Sequence, residues 1–292
     1  MGSAEGSVRS DWSRVWGRSL ALAARDLTRL VLPVECAGCG APDEVLCRPC
    51  RALLAGIPRR CERSAPRLDR MDGRPPVPVW ALTAYTGPVR ELVVAWKDRG
   101  RADLTGTLTA ALAAGAVHVA RVLLAARLAS PPLLVVPAPS SRAARRRRGG
   151  DLVGLLARSV AVSCEGAGVP ARAEPVLVQR RGRRDQVGLG ARARGRNLGG
   201  GVRWRARTPL LTPGQPVLLV DDVLTTGATL AACERGVQRA GGVVIGALAL
   251  AVTPPPGGFA ADPCEGAPEG PPNGRRVGWM QSPGSVTVES WS

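Results

Sequence analysis

The chain has 292 residues, 45% hydrophobic and 22% charged, which is long enough and apolar enough for a buried core and excludes a chain disordered throughout. Aromatics are only 3%, so the core must be built mostly from Leu, Val and Ala, and the single histidine, His118, excludes His-rich metal sites, two-histidine zinc-protease helices and bis-His haem. The net charge of +17 favours an anionic partner such as nucleic acid, a phosphorylated metabolite or an acidic membrane surface; the plain alternative is a well-solvated surface.

Residues 1–30 are expected to comprise a disordered start and a helix. Leu20, Leu22, Ala23, Leu27, Leu30 and Val31 recur at helical spacing within Trp16–Leu32, but Arg18, Arg25, Asp26 and Arg29 break the run. It is short of the roughly 20 apolar residues of a membrane span and lacks a signal-peptide cleavage pattern. The expectation is therefore a cytoplasmic protein without membrane insertion. Residues 31–57 hold a cysteine-rich unit ending in a short helix-like run, Arg51–Ile57. Residues 58–76, rich in Arg and Pro, read as a linker.

From 77 to 252 strand and helix patterns alternate. Strands are expected at Val77–Tyr85, Leu133–Val136, Val176–Val178, Val217–Val220 and Val243–Val252. Helices are expected from Pro88 to Lys97, over Asp103–Leu128 (which contains His118 as a surface or packing residue), over Asp151–Ser163 and over Thr229–Arg239. Arg180–Arg205 is basic and Gly-rich and reads as a mobile loop with some helix. The order of elements predicts an α/β fold with a parallel sheet flanked by helices. Residues 253–292 are Pro/Gly-rich and expected to be a disordered tail.

Cys36–Cys39 reads CAGC and Cys47–Cys50 reads CRPC, with seven residues between. Two such knuckles can set four thiolates tetrahedrally around one zinc, leaving no open position, so the expected role is structural. Disulfides, a redox dithiol and an iron–sulfur cluster are the alternatives; a cytoplasmic setting disfavours the first. Cys61, Cys164, Cys233 and Cys264 read as packing, linker or tail residues.

Val217–Leu230 reads VLLVDDVLTTGATL. An apolar strand delivers Asp221 and Asp222 to its carboxyl end, where ligands bind in open α/β sheets. In the loop that follows, Gly227 permits a tight turn and Thr225, Thr226 and Thr229 carry hydroxyl donors. A helix beginning near Thr229 aims free N–H groups at the same point. The combination suits a sugar phosphate, with the phosphate in the loop and the sugar diol on the carboxylates. The bland alternative, a threonine cap after an ordinary strand, explains one threonine rather than three beside an acid pair. Lys97 is the chain's only lysine among many arginines, which suggests a place where a compact ammonium matters, although chance retention explains it equally.

The loop segment resembles the phosphoribosyl pyrophosphate signature of type I phosphoribosyltransferases. Together with the cysteine knuckles it resembles the ComF family of competence-associated proteins, which join an N-terminal zinc ribbon to a phosphoribosyltransferase-like domain. Tyr85–Leu92 (YTGPVREL), Lys97–Gly100 (KDRG), Val136–Pro139 (VPAP), Arg147–Gly149, Gln186 with Leu189, and Arg194–Leu198 (RGRNL) follow the family's order. The likeness covers about Leu30–Val252. One departure is Arg148–Asp151 (RGGD), which lacks the aromatic and the amide usual there.

The resemblance implies a type I phosphoribosyltransferase-like sheet with a small N-terminal zinc ribbon. It implies binding of phosphoribosyl pyrophosphate, or a nucleotide, by Asp221, Asp222 and Thr225–Thr229, with Mg²⁺ held largely by the ligand. The loop Ser140–Ser141–Arg142 would bind pyrophosphate, with Ser140, Arg142 and Arg148 as phosphate contacts; Asp221, Asp222 and Lys97 would be the catalytic groups, and Lys97, Arg99, Arg142 and Arg148 the cations that stabilise the leaving pyrophosphate. The alternative function is a non-catalytic adaptor in DNA uptake that binds single-stranded DNA and a helicase-like competence protein. Its basic tracks would be Arg142–Arg148 and Arg180–Arg205, with Trp80, Tyr85, Trp96 and Trp204 as stacking platforms.

Overall fold

The structure, a computed structural model, describes residues 34–69, 75–126, 132–179, 201–206 and 208–255. The expected helix within Trp16–Leu32, most of the basic stretch Arg180–Arg205, and the tail from residue 256 lie outside the described residues.

The described part is a mixed α/β fold. In chain order it contains α1 (Arg48–Ala52), β1 (Arg59–Arg60), β2 (Val79–Ala84), α2 (Gly87–Asp98), α3 (Thr105–Ala125), β3 (Leu133–Pro137), α4 (Arg142–Arg147) and α5 (Leu152–Gly166). There follow β4 (Ala171–Ala173), β5 (Leu177–Gln179), β6 (Val202–Trp204), β7 (Pro216–Leu224), α6 (Ala228–Arg239) and β8 (Val243–Val252). Six strands form one sheet in the order β1-β2-β8-β7-β3-β4, parallel throughout except where β1 runs antiparallel to β2. β5 and β6 form a separate antiparallel pair.

The central strands are continuous apolar runs because both of their faces are covered. Their side chains alternate between two cores. Leu218, Val220, Leu248 and Leu250 face a cluster with α2, α3 and α5. Val217, Leu219, Ala247 and Ala249 face a second cluster with α6 and the β5–β6 pair. Ala102–Ala125, which spans α3, is long and apolar enough by length and composition to cross a membrane, where the sequence reading expects no span. One stripe of it, including Leu108, Leu112, Val119 and Leu123, is buried against the sheet and α5, and His118 is half-buried on it.

Two findings change the picture of the chain's first half. Cys36, Leu46, Cys47, Cys50 and Leu54 belong to the same core cluster as Leu92, Trp96 and Leu104, so the cysteine unit packs into the main core. The described part of the expected linker also has structure. Arg59–Arg60 pairs with the edge of β2, the Arg60 guanidinium lies 5.4 Å from the centre of the Trp80 ring, and two 3-10 turns (Glu62–Ser64 and Pro66–Leu68) follow. Cation–π contact and backbone pairing supply what the arginines' hydropathy hides.

Candidate functional site

β3 parts from β7 after the Pro137–Val220 pair, leaving the carboxyl end of β7 open on that side. There the Asp222 N–H donates to Asp221 Oδ1 at 2.9 Å and the Val223 N–H to Asp222 Oδ1 at 2.7 Å. Asp222 is buried, at 6% exposure. Its second oxygen meets Lys97 Nζ at 2.9 Å, so the sole lysine and the second acid form one ion pair. Burial, and then the charge of Asp222, push the Asp221 carboxyl up to about 8; the Asp222 N–H and Lys97 oppose this.

The pair opens into a pocket of about 440 Å³. Of the sequence-predicted residues, Lys97, Ser140, Arg148, Asp221, Asp222, Thr225 and Thr229 line it. Arg99, Arg142, Thr226, Gly227 and Ala228 do not; Arg99 instead pairs with Glu91 at 3.0 Å. Thr226 turns its hydroxyl back to accept from the Ala228 N–H at 3.4 Å, and its carbonyl accepts from the Arg67 N–H at 3.0 Å. Arg148 lines the pocket but is also engaged behind it. Its Nε donates to the Lys97 carbonyl at 3.0 Å and its Nη2 lies 3.5 Å from Asp98.

Tyr85 and Gln179 line the same pocket without having been assigned to it from the sequence, and Ser141, from the loop that the resemblance gives to pyrophosphate, lines it too. Ser141 carried a signal, since a serine before a helical run is a common N-cap; its Oγ accepts from the Ala144 N–H at 3.1 Å. Gln179 carried none; its amide reaches the Pro139 carbonyl at 2.9 Å. Of the four aromatic residues expected to offer stacking surfaces, Tyr85 alone lines the pocket. Trp80 and Trp96 are instead buried in the core, and Trp204 is half-buried with its indole N–H on the Thr208 and Pro209 carbonyls.

Gly227, at φ +79°, is the N-cap of α6 and has no side chain to cap it; among the described residues only the Ala228 N–H is met, by Thr226 Oγ1. The N–H groups of the first turn that follow Ala228 have no partner within the helix and adjoin Thr229, which lines the pocket. A Cβ on Gly227 would lie 2.7 Å from Leu68 Cγ and 2.9 Å from Ala65 Cβ. Gly227→Ala combines a left-handed backbone with a steric clash and is expected to cost about 2–4 kcal/mol in urea denaturation. A loss below about 0.5 kcal/mol would show that the loop is not held in this way.

The four knuckle cysteines form a second candidate site. Their Sγ atoms all lie within 4.8 Å of one another, and the Cys36–Cys47 and Cys39–Cys47 separations are 3.5 Å. None of the four is in a disulfide. Four thiolates about 2.3 Å from one tetrahedral ion stand about 3.8 Å apart, so the donor set fits a metal such as zinc. Burial pushes the Cys36 thiol up, but hydrogen bonds from the backbone at Cys39, Cys47 and Gly38 outweigh it and bring the thiol down to about 6. Burial and the neighbouring thiols push Cys50 up. Gly38 allows the approach: a Cβ there would lie 2.9 Å from Cys50 Sγ and 3.2 Å from the Pro88 carbonyl. Among the described residues this is the one cluster of three or more His, Cys, Asp or Glu side chains able to share a metal.

Compared with models of known protein families, the chain matches none.

Proposed function

We propose that the pocket binds phosphoribosyl pyrophosphate, or a nucleotide phosphate, and that the protein is a ComF-type phosphoribosyltransferase-like protein with a structural zinc ribbon. The observation that carries this reading is the meeting, in one pocket, of the acid pair near the carboxyl end of a central parallel strand with Thr225 and Thr229 from the N-terminal end of α6. The phosphate would take the N–H and hydroxyl donors of the loop. The ribose hydroxyls would donate to the carboxylates, which are pure acceptors, with no competing donor, when ionised.

In transfer, the bond from the ribose anomeric carbon to the pyrophosphate oxygen breaks and an acceptor's lone pair forms the new bond at that carbon. Asp221 and Asp222 lie where they could stabilise the positive charge on the sugar. Lys97 and Arg148 could stabilise the departing pyrophosphate. Two carboxylates, one of them paired to Lys97, do not make a protein cage for magnesium; any Mg²⁺ would arrive on the ligand's phosphates and neutralise part of their charge. The zinc, held by Cys36, Cys39, Cys47 and Cys50, would staple the first knuckle to the second and carry no chemistry.

The Asp221 carboxyl gives the test a pH signature. A bound diol favours the ionised form, so affinity for the magnesium complex of phosphoribosyl pyrophosphate should rise with pH, by up to about tenfold per unit, and level off above about 8. In the empty protein the linkage has the opposite sign. The raised value contributes stability that is full below the ordinary carboxyl value of 3.8 and is lost as pH rises through about 8. Calorimetric titration from pH 6 to 9 should show this rise in wild type and a flat profile in Asp221→Asn. Absence of binding across the range removes the reading.

A second reading draws on α4. Its arginines are exposed or half-buried at the pocket rim, and the ion pairs from Arg145 to Asp151 and from Arg147 to Asp98 are long, at 3.8 and 3.7 Å. Such a helix suits a single-stranded nucleic acid lying across the pocket mouth, in an adaptor that hands the strand to a helicase-like partner.

A further inference from the structure

We infer that Arg101 is a positioning residue that carries the geometry of the four-cysteine cluster to Lys97. Its guanidinium grips Asp103 through Nε at 3.0 Å and Nη2 at 2.9 Å, and spans both arms of the cysteine unit. Nη1 donates to the Glu35 carbonyl and Nη2 to the Val45 carbonyl, each at 3.3 Å. Glu35 adjoins Cys36, and the Val45 carbonyl also accepts from the Ala37 N–H at 3.1 Å, so these two acceptors move with the first knuckle and the approach to Cys47.

The other end of Arg101 is fixed to α2. Gly100, at φ +71°, reverses the chain, and the Arg101 N–H returns to the Ala95 carbonyl at 3.1 Å. Lys97 lies inside that turn. Its carbonyl is held by Arg148, and the neighbouring Trp96 donates its indole N–H to Thr105 Oγ1 at 2.9 Å. The first turn of α2 touches the same cysteine unit, since Gly38 sits against the Pro88 carbonyl and Cys50 Sγ. The helix that brings the ammonium to Asp222 therefore leans on the cysteine unit at both ends.

A metal on the four thiolates locks the separation of the Glu35 and Val45 carbonyls. Without it, the arms are free to part, Arg101 loses two acceptors, and the end of α2 that bears Lys97 loses its brace. Cluster occupancy and the Lys97–Asp222 pair are thus linked, and any ligand that needs Lys97 in place must tighten metal binding in turn. That last consequence rests on the pocket reading above; the coupling to Lys97 does not.

The chain supplies its own reporter. Lys97 is the only lysine, so ¹³C-lysine labelling gives a single side-chain resonance at the ion pair. In zinc-loaded protein, Asp222→Asn defines the shift of a released ammonium. Arg101→Ala with full zinc content should move the Lys97 resonance most of the way toward that value, as should chelation of zinc from wild type that keeps its helical circular dichroism. Arg101→Gln serves the same purpose if the alanine variant does not fold. A zinc-replete Arg101 variant, or a folded zinc-free wild type, with Lys97 at the unshifted position overturns the inference. Failure of phosphoribosyl pyrophosphate to bind would sink the pocket reading and leave these shifts as they are.

Discussion

Removing the metal from the cysteine cluster, by chelation or through Cys47→Ser, should lower the thermal midpoint by roughly 10–20 °C, equivalent to at least about 5 kcal/mol. The size follows from where the cluster sits. Cys36, Cys47 and Cys50 are 3%, 5% and 2% exposed and share a core with Leu92, Trp96 and Leu104. Without an ion, the four sulfurs crowd one largely buried point, with Cys36 and Cys39 each 3.5 Å from Cys47 and no positive charge to hold them together. The site must then open or take up protons, and either change loosens the packing under α2. Differential scanning calorimetry with and without chelator measures the shift. A midpoint that moves by less than about 2 °C would mean that the cluster is not a metal staple.

The second large effect concerns the ion pair in the pocket. Lys97→Met leaves Asp222 buried beside Asp221 with no cation, so the acid pair must share protons or repel. Phosphoribosyl pyrophosphate should then bind at least about 30-fold more weakly, a loss of about 2 kcal/mol. Asp222→Asn removes the other partner and a diol acceptor together. The double variant should lose less than the sum of the two single losses, because both changes break one interaction. Strict additivity in the calorimetric affinities would show that the two groups act separately.

The sequence was most legible where one local rule governs a segment. The turn at Gly227, α6 and β8 follow directly from a glycine, a helical period and an apolar run and match within one residue, whereas β7 runs four residues past its expected end at Val220, because pairing with β8 continues from Asp221 to Leu224. The cysteine spacing likewise announced four converging thiols. Lys97 stood out as a lone lysine, but its partner Asp222 is far away in sequence, and no local pattern encodes that contact. Arg101 left no trace, since one arginine among so many carries no signal until the fold brings the Glu35 and Val45 carbonyls to it. β1 and α4 were missed for a related reason. Arginines hide strand and helix periods, which here are set by the β2 edge and the Ser141 cap.

Heat released when magnesium phosphoribosyl pyrophosphate is titrated into wild-type protein and Asp222→Asn bears most directly on what this pocket is for. Saturable binding in the wild type, weakened at least about tenfold in the variant at unchanged zinc content, is the expected result. No heat in wild type, or equal affinity in both proteins, would mean that the carboxylates of β7 and the threonine loop do not together hold a sugar phosphate.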